Sequence, residues 1–328
     1  MYTETAQVQA ESDKEFIIVF SSHRIEFLKF MEKFMQRCDT IILEEAPSLL
    51  FYEMLIDRIS IKEYLQEEIF EFPNFSFRFY GMLKNLFKNG KKILQIEPYM
   101  ERLLKIHEMF ADGKTPKDIS LTAELYEVYE IEKKATKSLI DFYEASISKS
   151  FNEIVEAVKT FAKADAERFR IRDMLRAEAI SSFQDSGRVF IEAGAIHQYL
   201  RKILLEKLNN RKVLTVFALE DTVKNLTKRR WIFPPGDILT LRYIFEAREN
   251  EELENLLSAR ALIYIMIIEK EEMFPTNEQP IPHLSDELRA IELVNKLSFK
   301  DCEKLYFEIR FKSRLKALNT VKDYVLKK

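Results

Sequence analysis

Two of the four histidines stand at matching joints in the chain. In "FIIVFSSHRIEFLKFM", residues 16 to 31, an apolar run passes two serines to His23 and becomes amphipathic; in "VFIEAGAIHQYLRKIL", residues 189 to 204, a similar run passes Gly194 to His197 and does the same. Acids end the neighbouring apolar runs: Glu44 with Glu45 in "DTIILEEA", Glu97 in "KKILQIEPY", and Glu192 just before Gly194. Imidazole nitrogens and carboxylate oxygens gathered at one place suit a divalent ion such as Zn, Mn or Co. Without a metal, one histidine could act as a general base, its ordinary pKa of about 6.5 lying near working pH. The structural alternative is that the histidines cap helices and the acids end in salt bridges or solvent.

A third element is "AERFRIRDMLRAEAI", residues 166 to 180. As a helix it places Arg168, Arg172 and Arg176 on one stripe, because residues four apart share a face. A guanidinium offers a planar fork to a carboxylate, a phosphate or a developing oxyanion. The alternative is a solvated face paired with Glu167, Asp173 and Glu178.

Five short apolar runs read as buried strands: 16–20, 40–43, 93–96, 188–192 and 212–219. Amphipathic segments separate them, with Phe27, Met31, Phe34 and Met35 on one face after His23, and Leu200, Ile203, Leu204 and Leu208 on one face after His197. Strand, helix and strand in turn imply an α/β fold with a largely parallel sheet. The intervals from His23 to Glu44 and from His197 to Glu220 are nearly equal, so the sheet is expected to comprise two pseudo-repeated β-α-β halves with flanking helices. Both histidines would then lie at its carboxyl edge, where open α/β sheets bind ligands.

Around this frame we expect a flexible arm over 1–15, an α/β domain over 16–236 with a helical insertion at about 99–182, and a C-terminal α-helical unit over 237–328. Gly113 and Pro116 in "ADGKTPKD" mark a break in the insertion, and Asp237 after two prolines and Gly236 is a plausible helix N-cap. The segment "FEFPNFSFRFYG" at 70–81 could line an apolar pocket, although a loop tucked into the core is the preferred reading.

Lys and Arg number 51 against 54 Asp and Glu, a net charge of -3, so the overall balance recruits neither nucleic acid nor an anionic membrane. The basic "KNLTKRRW", with Trp231, reads more naturally as a loop with one packed ring than as a nucleic-acid contact. "ALIYIMII" at 261–268 is far shorter than the roughly 20 residues a membrane span needs. Cys38 and Cys302 lack metal-type spacing and suit free thiols, and the N-terminus lacks the order of a secretory signal, so a cytoplasmic location is expected. No Gly-rich phosphate loop, Cys-rich zinc site or serine elbow is present.

The order of these motifs resembles that of the erythromycin esterase, ChaN-like, Tiki and TraB superfamily. Gly194-Ala195-Ile196-His197 matches its second Gly-x-x-His motif, Arg172-Asp173 with Ala177 matches its helix motif, and Glu44 falls at its strand-end acid. The first motif reads Phe20-Ser21-Ser22-His23, with phenylalanine at the glycine position. The resemblance covers roughly 16–220 and implies a hydrolase cleaving an ester or amide bond of a small-molecule or peptide substrate. His23, Glu44 and His197 would hold one divalent metal (Mn, Co or Zn) or activate water directly, Glu97 or Glu192 would orient them, and Arg172, facing the cleft, would stabilise the oxyanion while Arg176 lies nearer solvent. The alternative is a non-catalytic protein binding a ligand or metal complex, with the helical unit recruiting a partner or a second copy of the chain.

Overall fold

A computed structural model describes residues 15–67, 70–184, 186–208 and 211–328. The arm expected over 1–15 lies outside them apart from Glu15, which opens the first strand. The strands are β1 (Glu15–Ser21), β2 (Thr40–Leu43), β3 (Lys92–Gln95), β4 (Val189–Gly194) and β5 (Lys212–Phe217), which correspond to the five apolar runs. Helices α1 (Ile25–Met35), α2 (Leu49–Leu55), α3 (Ile61–Glu67), α4 (Pro73–Lys88), α5 (Pro98–Ala111), α6 (Pro116–Ile119), α7 (Ala123–Ser148), α8 (Phe151–Ser181), α9 (Gln198–Lys207) and α10 (Glu220–Thr227) accompany them. The last five are α11 (Pro235–Ile244), α12 (Glu251–Ile267), α13 (Pro282–Asn295), α14 (Phe299–Ile309) and α15 (Arg314–Leu326). None of the described helices is long and apolar enough to cross a membrane.

The chain divides into two units, one of Met1–Tyr126 with Ile171–Trp231 and one of Glu127–Arg170 with Ile232–Lys328. The first holds the sheet, in the order β3-β2-β4-β1-β5 with every pair parallel. β1 and β4 lie side by side at the centre, β2 flanks β4 and β5 flanks β1, so the two β-α-β halves interleave. Central parallel strands are covered on both faces, which is why β1 is buried along its whole length and reads as an unbroken apolar run. Each fully buried Ile or Phe contributes about 1.5–3 kcal/mol. α1 buries Phe27, Met31 and Met35, and α9 buries Leu200, Ile203 and Leu204, the faces that the periodicity gives.

Three expectations are corrected. The segment 70–81 is a loop only up to Phe72: α4 starts at Pro73, and Phe75, Phe79 and Leu83 recur every fourth residue along its buried face. Proline at the first helical position costs nothing, since its missing N–H would have no partner there. The insertion at 99–182 is divided, because residues 127–170 belong with the C-terminal helices. Phe142, Phe151, Ile154 and Val155 share a buried cluster with Leu262, Ile263, Val294, Tyr306 and Val321. Finally, Asp237 is not the N-cap of α11: Pro234 holds that position and Pro235 follows inside the helix, which leaves Asp237 in the first turn.

Burial, reinforced by Asp165, lifts the Asp237 carboxyl to about 7. An unfolded aspartate has a pKa of about 4, so the stability of the second unit should be greatest below that value and decline as pH rises through 7. Asp237→Asn is expected to raise the thermal midpoint at pH 8 and to leave it nearly unchanged at pH 4, as measured by calorimetry of the whole chain.

Candidate functional site

The parallel register places Ser21 of β1 beside Gly194 of β4, so the segments carrying His23 and His197 leave the sheet at its carboxyl edge next to each other. The glycine missing from the first motif is not needed for this turn. Phe20 is buried in β1, its ring meets Phe217, and its carbonyl accepts the Ala218 N–H at 2.8 Å. At Gly194 an added Cβ would lie at ordinary contact distance, 3.5 Å from His197 and 3.8 Å from Glu44.

His197 is buried between two carboxylates. Nδ1 bonds Asp173, and Nε2 lies 2.6 Å from Glu44 Oε1. Desolvation opposes its charge, but Glu44 and Asp173 outweigh that and lift its pKa to about 9, so the ring is an imidazolium at neutral pH. Asp173 is fixed in turn by the Leu200 N–H, which donates to Oδ2 at 2.8 Å from the first turn of α9.

Glu44 ends β2 and is the point where the elements meet. Beyond His197, its Oε2 accepts the Gly194 N–H at 2.8 Å and lies 3.5 Å from Arg176, while Arg172 is 3.4 Å from Oε1. Its own N–H donates to Glu192 Oε2 at 3.2 Å. Burial would raise its pKa, yet His197, Arg176 and Arg172 hold it well below the ordinary carboxylate range.

Arg172 lies beside Glu44 and Glu97, as expected for a residue facing the cleft. Arg176 corrects the expectation of solvent exposure: it is fully buried and donates to the carbonyls of Ile96 at 3.0 Å and Glu192 at 2.6 Å. The four-residue spacing was the signal, because a helix that turns Arg172 inward turns Arg176 inward too. Arg168, further along the stripe, pairs instead with Glu132 and Asp165 in the second unit. Glu97 is buried at the start of α5, 3.5 Å from Arg172 and 3.9 Å from Arg176, with no hydrogen-bond partner for its carboxylate among the described residues. Burial outweighs the two arginines and raises its pKa.

His23 differs from His197 in lying at the mouth, with its side chain 54 % exposed. Its ring stacks on Phe75 at 5.2 Å, and Nε2 is 3.6 Å from Glu192. Desolvation works against its charge, but Glu192 more than compensates and lifts it to about 9. Together with Glu44, Glu45 and Arg172, His23 lines a cavity of about 520 Å³ whose wall also includes Tyr64, Phe70, Phe72, Phe75, Phe79 and Tyr80. His197 is not among the residues that line it. Sequence reasoning gave Glu45 no separate role. It accepts from Tyr80 Oη and Gln95 Nε2, each at 2.8 Å, and burial with Glu192 nearby lifts it to about 7. Gln95 is itself oriented by the Ser48 N–H, which donates to its Oε1 at 2.9 Å.

The pseudo-repeat does not extend to its second acid, since Glu220 pairs with Arg230 through both oxygens at 2.7 and 2.8 Å. Trp231, in the basic stretch, stacks on Phe217. The resemblance implies a divalent ion among His23, Glu44 and His197, and their present bonding does not fit one. Both nitrogens of His197 face carboxylates, each oxygen of Glu44 already meets two donors or cations, and no cluster of three His, Cys, Asp or Glu side chains with metal-binding geometry occurs among the described residues.

Because Arg176 joins the ends of three strands, Arg176→Met should destabilise the chain by about 3–5 kcal/mol in urea unfolding, the cost of leaving buried charge unpaired. Arg172→Met, at a partly exposed position, should cost well below that.

No protein-family model and no solved structure matches the chain. An uncharacterized protein of Archaeoglobus fulgidus is 31% identical to it over 290 residues, which cover 88% of this chain and 97% of that protein. Identity of this extent spans both units, and the chain belongs to the same family as this archaeal protein.

Proposed function

We propose that the site hydrolyses an ester or amide bond, in keeping with the resemblance to the erythromycin esterase, ChaN-like, Tiki and TraB superfamily. The observation that carries this reading is that a ring able to exchange protons and a guanidinium, His23 and Arg172, line one cavity, with the buried Glu192 carboxylate 3.6 Å from Nε2 of that ring. The uncharged His23 ring accepts a proton from water as its oxygen attacks the carbonyl carbon. Glu192 stabilises the resulting imidazolium, which then protonates the departing alcohol or amine. Arg172 offers its fork to the oxyanion. Glu44, His197, Asp173, Arg176 and Glu97 act as positioning residues. A divalent ion enters this scheme only if it displaces the proton that His197 shares with Glu44.

A binding-only role for the same cavity is the second reading, favoured by the complete pairing of Glu44 and His197. A self-associating helical unit would accompany either reading, supported by exposed Ile147, Phe311 and Leu326 in the second unit.

His23→Ala should lower turnover of a responsive ester or amide about 100-fold or more with folding unchanged, whereas His197→Ala should lower both turnover and stability. The wild-type rate should rise about tenfold per pH unit and level off near 9, where the His23 ring loses its charge. Turnover is expected to survive chelation. Activity only with added Mn, Co or Zn would require the His197–Glu44 contact to open for the ion, and a broad panel without turnover would leave the binding role.

A further inference from the structure

Charge around the cavity does not balance. At the strand ends His23, Arg172, Arg176 and His197 are each met by Glu44, Glu97, Glu192 or Asp173. Glu45 and Glu71 also line the cavity and stand outside these pairs. Glu45 is held by two uncharged donors, Tyr80 Oη and Gln95 Nε2. Glu71 is exposed, and Arg24 packs over the ring of the next residue, Phe72. Among the described residues no Lys, Arg or His side chain lies within ion-pair distance of Glu45 or Glu71. The wall therefore carries two acids in excess of its cations. The ionisation of Glu45 reflects the same deficit: burial and then Glu192 lift it to about 7, although Gln95, Tyr80 and His23 act the other way.

A cation brought into the cavity supplies the missing partner, and it gains most where water is excluded, because charge interactions strengthen as the dielectric falls. An anion meets the opposite field. Charge acts at a distance, so the preference needs both carboxylates at the wall and no particular contact or ring orientation. The sheet order separates the two ends of such an occupant. Gln95, which holds Glu45, is on β3, and His23 follows β1, with β2 and β4 between them. The volume of about 520 Å³ lies in the range of small-molecule sites.

We propose that this cavity takes a small ester or amide bearing a primary ammonium group, with the ammonium toward Glu45 and Glu71 and the carbonyl toward His23 and Arg172. The chemistry rests on the hydrolase reading, whereas the charge preference rests on the wall alone. Each Glu45 oxygen accepts one hydrogen bond and keeps a lone pair for an ammonium N–H, which a quaternary ammonium lacks.

The test pairs binding with turnover on one chain carrying three end groups. Binding of 6-aminohexanamide, 6-hydroxyhexanamide and 6-carboxyhexanamide is measured by calorimetry. Hydrolysis is compared for methyl 6-aminohexanoate, methyl 6-hydroxyhexanoate and monomethyl heptanedioate, each corrected for its uncatalysed rate, and the three-carbon members repeat both assays at a shorter span. At pH 8 the ammonium member should bind about tenfold more tightly than the hydroxyl member, with the carboxylate weakest. At pH 6 that advantage should be nearly lost, because the ammonium must then displace the proton that Glu45 holds, while binding of the hydroxyl member stays the same. His23 is charged at both pH values and does not contribute to the change. Glu45→Gln should abolish the advantage at pH 8, and Glu71→Gln, at an exposed position, should reduce it about two- to threefold. Equal binding of the ammonium and hydroxyl members at pH 8, tighter binding of the carboxylate, or an advantage that persists in Glu45→Gln would overturn the ammonium preference, and hydrolysis of the esters would in each case leave the hydrolase standing. Selective binding of 6-aminohexanamide without turnover of any ester would sustain the ammonium site and remove the hydrolase. Neither binding nor turnover would remove both.

Discussion

A carboxylate taken out of water must be met by charge or by donors, and Glu44 is met from four directions at once. His197 and Gly194 reach it from β4 and the turn after it, while Arg172 and Arg176 reach it from α8. Its own backbone returns a hydrogen bond to Glu192. The position of one side chain at the end of β2 thus depends on the register of the neighbouring strand and on the rotation of a helix distant in sequence. Glu44, Asp173, Glu192 and Glu97 balance His23, His197, Arg172 and Arg176, so that the buried group as a whole need carry little net charge. Removing a fully buried member such as His197 or Arg176 leaves its partner uncompensated, and a change there therefore acts on the fold as well as on the chemistry.

This interdependence explains why the two histidines, alike in sequence, are unlike in the molecule. His197 lies behind Glu44 with both nitrogens engaged, and His23 stands at the cavity against a phenylalanine. Both rings are lifted to about 9, so access and not charge separates them: His197 has a carboxylate against each nitrogen and does not line the cavity. The half-exposed ring retains access to water. Their difference arises from what packs over each joint: Asp173 of α8 over one and Phe75 of α4 over the other.

All five strands were legible, because a strand covered on both faces leaves a run of apolar residues bounded by polar ones. Their spatial order was not, since nothing in β1 indicates that β4 will separate it from β2. His23, Glu44, Glu97, Glu192 and His197 could be singled out because they occupy strand ends, where position along the chain fixes position at the sheet edge. The inward turn of Arg176 was available from its spacing to Arg172, whereas Glu45 was not separable from its neighbour without knowing that Tyr80 and Gln95 would meet it. The aromatic run at 70–81 was misread because its proline and density of rings resemble a loop, while a four-residue recurrence of phenylalanine marks a helix only once a surface is present to bury it.

The interleaving of the halves has a consequence for the chain as it leaves the ribosome. Among the described residues β1 bonds to β4 and β5, so this strand, apolar from Phe16 to Phe20, precedes the partners of both its edges by more than a hundred residues. Pairings so distant in sequence form slowly, and unpaired strand edges invite association with other chains. The nascent chain must therefore keep its most apolar strand from other contacts through most of its synthesis, and the amphipathic helices translated in between are the segments at hand to cover it.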